Sequence, residues 1–176
     1  GEIGSDLFLK SKSDLPGEEA NTAILYNISL LYMKTGDYKT ATLFLNLAKE
    51  SAKTVEQPNQ PCRLFLEVAI MTNLGYALYQ QERFGEASIS FEISLKIARQ
   101  FLEVIRWKES TASISEHKAM RSLLMVLINL SRTYLSTGRF DDALSLYREG
   151  RDLWQTMLDK FYSGDLELND FPPLTY

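Results

Sequence analysis

From residue 84 onward, apolar side chains fall at Phe91, Leu95, Ala98, Leu102 and Ile105, the three-to-four spacing that draws one stripe along a helix. The same period, interrupted by short polar turns, predicts six helices near 16–35, 37–55, 61–81, 84–107, 114–137 and 139–161. Pro61, following Gln60, suits the first turn of the third helix, where its missing N–H costs nothing. Ser113-Ile114-Ser115-Glu116 has the form of a capping box and is expected to open the fifth. Residues 56–60 and 108–112 read as linkers. Residues 1–15 are expected to form a flexible segment. Residues 162–176 should form an extended tail, because Pro172-Pro173 prevents a helix throughout.

The helices are not independent of one another. Leu25 to Ala48, Met71 to Ser94 and Leu127 to Gly150 align without gaps. Each carries an Asn, an apolar residue and a small one in a row: Asn27-Ile28-Ser29, Asn73-Leu74-Gly75 and Asn129-Leu130-Ser131. Each then reaches a turn ending in an aromatic: Gly36-Asp37-Tyr38, Glu82-Arg83-Phe84 and Gly138-Arg139-Phe140. Ala41, Ala87 and Ala143 follow at the same offset, and Ala48, Ser94 and Gly150 hold a last small slot. Small residues are needed where two antiparallel helices approach backbone to backbone, with bulky side chains filling the gaps beside them.

This pattern resembles the tetratricopeptide repeat family. Its large slots hold Leu25, Met71 and Leu127; its mid-helix aromatic slot holds Tyr32, Leu78 and Tyr134; its second-helix aromatic slot holds Leu45, Phe91 and Tyr147. The motifs lie near 22–55, 68–101 and 124–157, within a domain spanning 16–161. Two features depart from the family. Lys53, Arg99 and Gln155 stand where its terminal proline belongs, and the turns are spaced more widely than its repeat of about 34 residues. Both indicate helices of more than the usual length. The resemblance implies an all-α, right-handed superhelical solenoid of six antiparallel helices in three helix-turn-helix repeats, with the first helix of each pair lining a concave groove.

The resemblance also selects groove residues. They are Tyr26, Asn27, Leu30 and Lys34 from the first repeat, Thr72, Asn73, Tyr76 and Tyr79 from the second, and Ile128, Asn129 and Arg132 from the third. Asn27, Asn73 and Asn129 share one slot and are expected to form a column, whose amides could pair with the backbone of an extended peptide. Tyr26, Leu30 and Met125 stand where some family members place a clamp for a C-terminal carboxylate, so that type of ligand is not expected.

Charge and chemistry narrow the reading further. Nineteen Lys and Arg against 23 Asp and Glu give a net charge of -4, with no basic block for a nucleic acid. No stretch is long and apolar enough to insert in a membrane, Gly1-Glu2-Ile3-Gly4 has no signal-peptide layout, and the single Cys62 cannot form an internal disulfide. A cytoplasmic location is expected. His117 and Cys62 stand in no catalytic motif and cannot supply four zinc ligands, so neither an enzyme nor a cofactor is expected. The sequons at Asn27 and Asn129 fall inside helices and read as coincidence.

The functional expectation is a protein-protein interaction module, a scaffold or adaptor binding an extended or helical segment of another protein. The alternative is a structural piece of a longer solenoid, or a subunit that self-associates through its last helix and tail. The last helix supports that alternative, because Leu146, Leu153, Trp154, Met157, Leu158, Phe161 and Tyr162 cover more than one stripe.

Overall fold

The computed structural model describes residues 17–53, 60–107 and 116–165. They form α1 (Gly17–Lys34), α2 (Tyr38–Lys53), α3 (Pro61–Gln80), α4 (Phe84–Trp107), α5 (Glu116–Ser136) and α6 (Phe140–Tyr162). Among the described residues there is no strand. The helix ends agree with the periodicity to about two residues, the scatter normal for frayed termini. The expectations for residues 1–15, most of both linkers, Ser113 to Ser115 and the tail beyond 165 lie outside the described residues.

All nine small slots are buried: Ser29, Gly75 and Ser131, Ala41, Ala87 and Ala143, and Ala48, Ser94 and Gly150. Their neighbours fill the space, with Leu45 and Phe91 sealed between the paired helices. Each pair is joined by the same tight reversal. Gly36, Glu82 and Gly138 adopt positive φ of 77°, 59° and 77°. In each turn the next residue's N–H donates back to a carbonyl of the preceding helix: Asp37 to Tyr32, Arg83 to Leu78 and Arg139 to Tyr134. This is the left-handed helix stop that glycine accommodates best, and Glu82 adopts it at some steric cost.

Successive helices pack on one another, and α1 also touches α3, as α3 touches α5. The first helices therefore form a continuous inner layer, and the chain is an all-α solenoid. Seams between repeats carry specific polar links. Gln81 Nε2 reaches the Tyr38 carbonyl at 3.1 Å and Thr42 Oγ1 at 2.9 Å, latching the end of α3 to the start of α2. The Tyr134 hydroxyl donates to Glu92 Oε1 at 2.7 Å, while the Arg139 guanidinium lies 3.8 Å from the Tyr134 ring centroid. Burial, with the adjoining Glu92 carboxylate, pushes the Tyr134 phenol up to about 12.

Glu116 makes a third link. Its Oε1 accepts from Arg106 at 2.8 Å, and its Oε2 accepts from Lys160. One carboxylate thus ties the start of α5 to the ends of α4 and α6. Burial pushes this carboxyl up, but the two cations outweigh it and hold the group below its ordinary value of 4.5. A lowered carboxylate pKa adds stability above the unfolded-state value and loses it as pH falls through the folded-state value. Arg106 and Lys160 are substantially exposed, so screening keeps the contribution small. Glu116→Gln should cost about 0.5–1 kcal/mol at neutral pH, and the gap from the parent protein should close in acid. Urea melts at pH 7 and pH 3 check this, and an equal deficit at both would show that the carboxylate charge is not responsible.

Candidate functional site

The inner layer brings some of the expected groove residues to the surface and hides others. Slot by slot, the reason is visible. Tyr26, Thr72 and Ile128 occupy one slot, and the first two turn out of the groove into seams between helices. Tyr26 is wholly buried and accepts from Asn73 Nδ2 at 2.9 Å. Thr72 is buried against α4, its hydroxyl 2.8 Å from that of Ser94. Ile128 is exposed, but at the open end of the last repeat, in a hollow that it shares with Leu146, Tyr147 and Trp154 of α6.

The asparagine column is corrected in the same way. Asn27 is half-buried, whereas Asn73 and Asn129 are 0% and 4% exposed, so neither presents an amide to a ligand. Asn73 spends its Nδ2 on Tyr26, and Asn73 Oδ1 and Asn129 Nδ2 have no hydrogen-bond partner among the described residues. Leu30 is likewise buried, in the core beneath the wall. Five of the expected groove residues, Tyr26, Leu30, Thr72, Asn73 and Asn129, are therefore closed to solvent.

Five others stay open. Asn27, Tyr76 and Tyr79 are half-buried, and Lys34 and Arg132 are exposed. Tyr79 is the fixed point among them. Its hydroxyl lies 3.0 Å from Ser136 Oγ, its ring packs edge-on to Phe84 at 5.1 Å, and the Arg132 guanidinium sits 5.6 Å from its centroid. Tyr76 is held edge-on by Tyr38 at 6.1 Å. Leu135 is exposed on the same helix as Arg132. The result is an aromatic ledge across α3 and α5, with a guanidinium over one ring. Such a surface can bind an apolar anchor and an anion side by side, because a cation stacked on an aromatic keeps its outer N–H groups free to donate.

The spacing of side chains could not give the hollow at the open end. Its sign in the sequence is a single substitution pattern: Tyr147 stands at the slot of Leu45 and Phe91. Those two are 0% and 1% exposed, whereas Tyr147 is 64% exposed. The mirror effect occurs at the other end, where Ile24, Leu31 and Leu43 are exposed. Among the described residues, no group of three or more His, Cys, Asp and Glu could hold a metal ion, and no helix is long and apolar enough to cross a membrane.

Comparison with known proteins bears on this architecture. Models of the tetratricopeptide repeat match residues 22–54 and 123–160. These are the first and third repeats, and the second shares their buried small slots and their turn. No curated protein matches the chain in sequence. Repeats of this family are generally protein-protein interaction modules, typically scaffolds without catalysis. With three equivalent helix pairs, the same helix stop in each and family matches at both ends, the chain is a tetratricopeptide-repeat protein.

Proposed function

We propose that this protein is a scaffold or adaptor that holds an extended or helical segment of another protein on its inner wall. The observation that carries this reading is the ledge formed by Tyr76, Tyr79 and Arg132, whose tyrosine rings are fixed before any ligand arrives. Preorganised aromatics lose little conformational freedom on binding, and Tyr and Arg are the residue types that dominate binding energy at interfaces. Lys34 and Asn27 extend the wall along α1. The segment that fits carries an aromatic or aliphatic anchor and an acidic residue to meet Arg132.

Selection of displayed peptides on the purified protein tests this. Recovered sequences should pair an apolar anchor with an acid. Arg132→Glu should weaken them about tenfold, equivalent to about 1.4 kcal/mol, and reversing the acid to Lys should restore binding to that variant. Binding that ignores Arg132→Glu, Tyr76→Ala and Tyr79→Ala alike would place the ligand elsewhere. A second reading, a segment of a longer solenoid or a self-associating subunit, is favoured by the apolar residues exposed at both ends, among them Leu31, Leu43 and Tyr147. Sedimentation across a concentration range separates the two, since self-association through the ends raises the mass with concentration.

A further inference from the structure

Away from the ledge, the other side of α3 carries a second surface. α2 and α4 each pack on α3, and between them lies a groove of about 150 Å³. Ile70 and Met71 of α3 form its floor, Ile93 and Ile97 of α4 one wall, and Lys49 and Lys53 of α2 the opposite rim. Glu67 also lines it. Glu67 and Tyr76 are nine residues apart on α3, about two and a half turns at 3.6 residues per turn, so they point to opposite sides. The groove therefore opens away from the inner wall. Ile89, Ile93 and Ile97, four residues apart, draw one ridge along α4, and the first two are 58% and 41% exposed. A ridge of that spacing is what a second helix packs against.

The next repeat supplies the comparison. Lys53 and Ile93 occupy the slots that Arg99 and Glu149 hold one repeat later. There the arginine and the glutamate meet at 2.7 Å and tie α4 to α6. Between α2 and α4 the acid's slot is an isoleucine, so the same seam is apolar at that point. The charges left over are positive. Glu50 is held by Lys53 and Glu67 by Arg63, each on its own helix, whereas Lys49 and Lys96 have no ion pair among the described residues. Lys49 is half-buried at the rim, and Lys96 is exposed one turn beyond Ile93. We propose that this ridge and groove bind an amphipathic helix of a partner protein, with apolar residues four apart and an acid beside them. The apolar residues seat on Ile89, Ile93 and Ile97, and the acid faces Lys49, making from outside the kind of pair that Glu149 makes within the chain. A helix laid in such a groove is oriented by the charge at its edge, and a basic one is repelled.

Selection of displayed helical peptides on the full chain, with depletion of those that also bind Ile93→Glu, tests this. Ile93 is exposed, so that variant should melt as the parent does. The retained peptides should pair apolar residues four apart with an acid, and should bind Tyr79→Ala as tightly as the parent, since the ledge is a separate site. Lys49→Glu should weaken them about tenfold, and replacing the peptide's acid with Lys should restore binding to that variant. A selection that retains no such peptide, or binding that Lys49→Glu leaves unchanged, would overturn the proposal. So would a clear loss of melting temperature in Ile93→Glu, since the chain itself would then fill the groove. A mass that rises with concentration in the parent and not in Ile93→Glu would also overturn it, because a second copy would then be the occupant.

Discussion

Gly75→Ala is expected to destabilise the protein by about 1–3 kcal/mol, although alanine is the better helix former. Gly75 lies inside α3, where helix propensity alone would favour Ala by about 1 kcal/mol. Contact decides the sign the other way. A Cβ at this position would stand 2.7 Å from Phe91 Cε1 and 2.8 Å from its Cδ1 and Cζ. The Phe91 ring is 1% exposed and enclosed by the core, so it has no free direction in which to retreat. Gly150 offers the control. A Cβ there meets Leu124 and Leu127 at 3.6 and 3.8 Å, ordinary contact, so Gly150→Ala should be neutral or stabilising by up to about 1 kcal/mol. Urea melts of both variants measure the difference, and Phe91→Leu should recover part of the loss in the Gly75→Ala background. Equal stability of Gly75→Ala and the parent protein would mean that the ring moves aside freely.

The Gly75–Phe91 contact also shows why the fold was legible in the sequence. Small residues at fixed offsets have one main use in a helical chain, which is close approach, and the pattern repeats in three segments. Helix period, slot and turn all point to the same packing, so each confirms the others. The site lacked such redundancy. Tyr26 and Thr72 sit at a slot that the repeat pattern assigns to the groove, yet the direction of a side chain there depends on the neighbouring helix. Tyr26 finds Asn73 across 47 positions of sequence, and Thr72 finds Ser94 across 22. Neither partnership leaves a trace in local spacing. Tyr76, Tyr79 and Arg132 stay open because the residues around them already fill the seams. The clamp at Glu116 was hidden for the same reason, since Lys160 is 44 residues away.

Met157→Ala is expected to cost about 2–5 kcal/mol and to act mainly on the last helix. On α6 only Ala143, Gly150 and Met157 are buried, and Met157 alone among them has a large side chain, at 0% exposure. Its loss removes the main apolar anchor between α6 and the core and leaves a cavity that the helix can close only by shifting. In a solenoid each helix pair leans on its neighbours, so damage at one end need not spread through the whole. The expected result is therefore graded. Amides of α6 should lose protection first in hydrogen exchange, those of α5 in part, and those of α3 and α4 least, because α6 packs chiefly on α5. The Lys160–Glu116 pair should weaken with α6, since its lysine is carried on that helix. A uniform loss of protection from α1 to α6 would instead mean that the three repeats unfold as a single cooperative unit and that the last helix is no weaker than the rest.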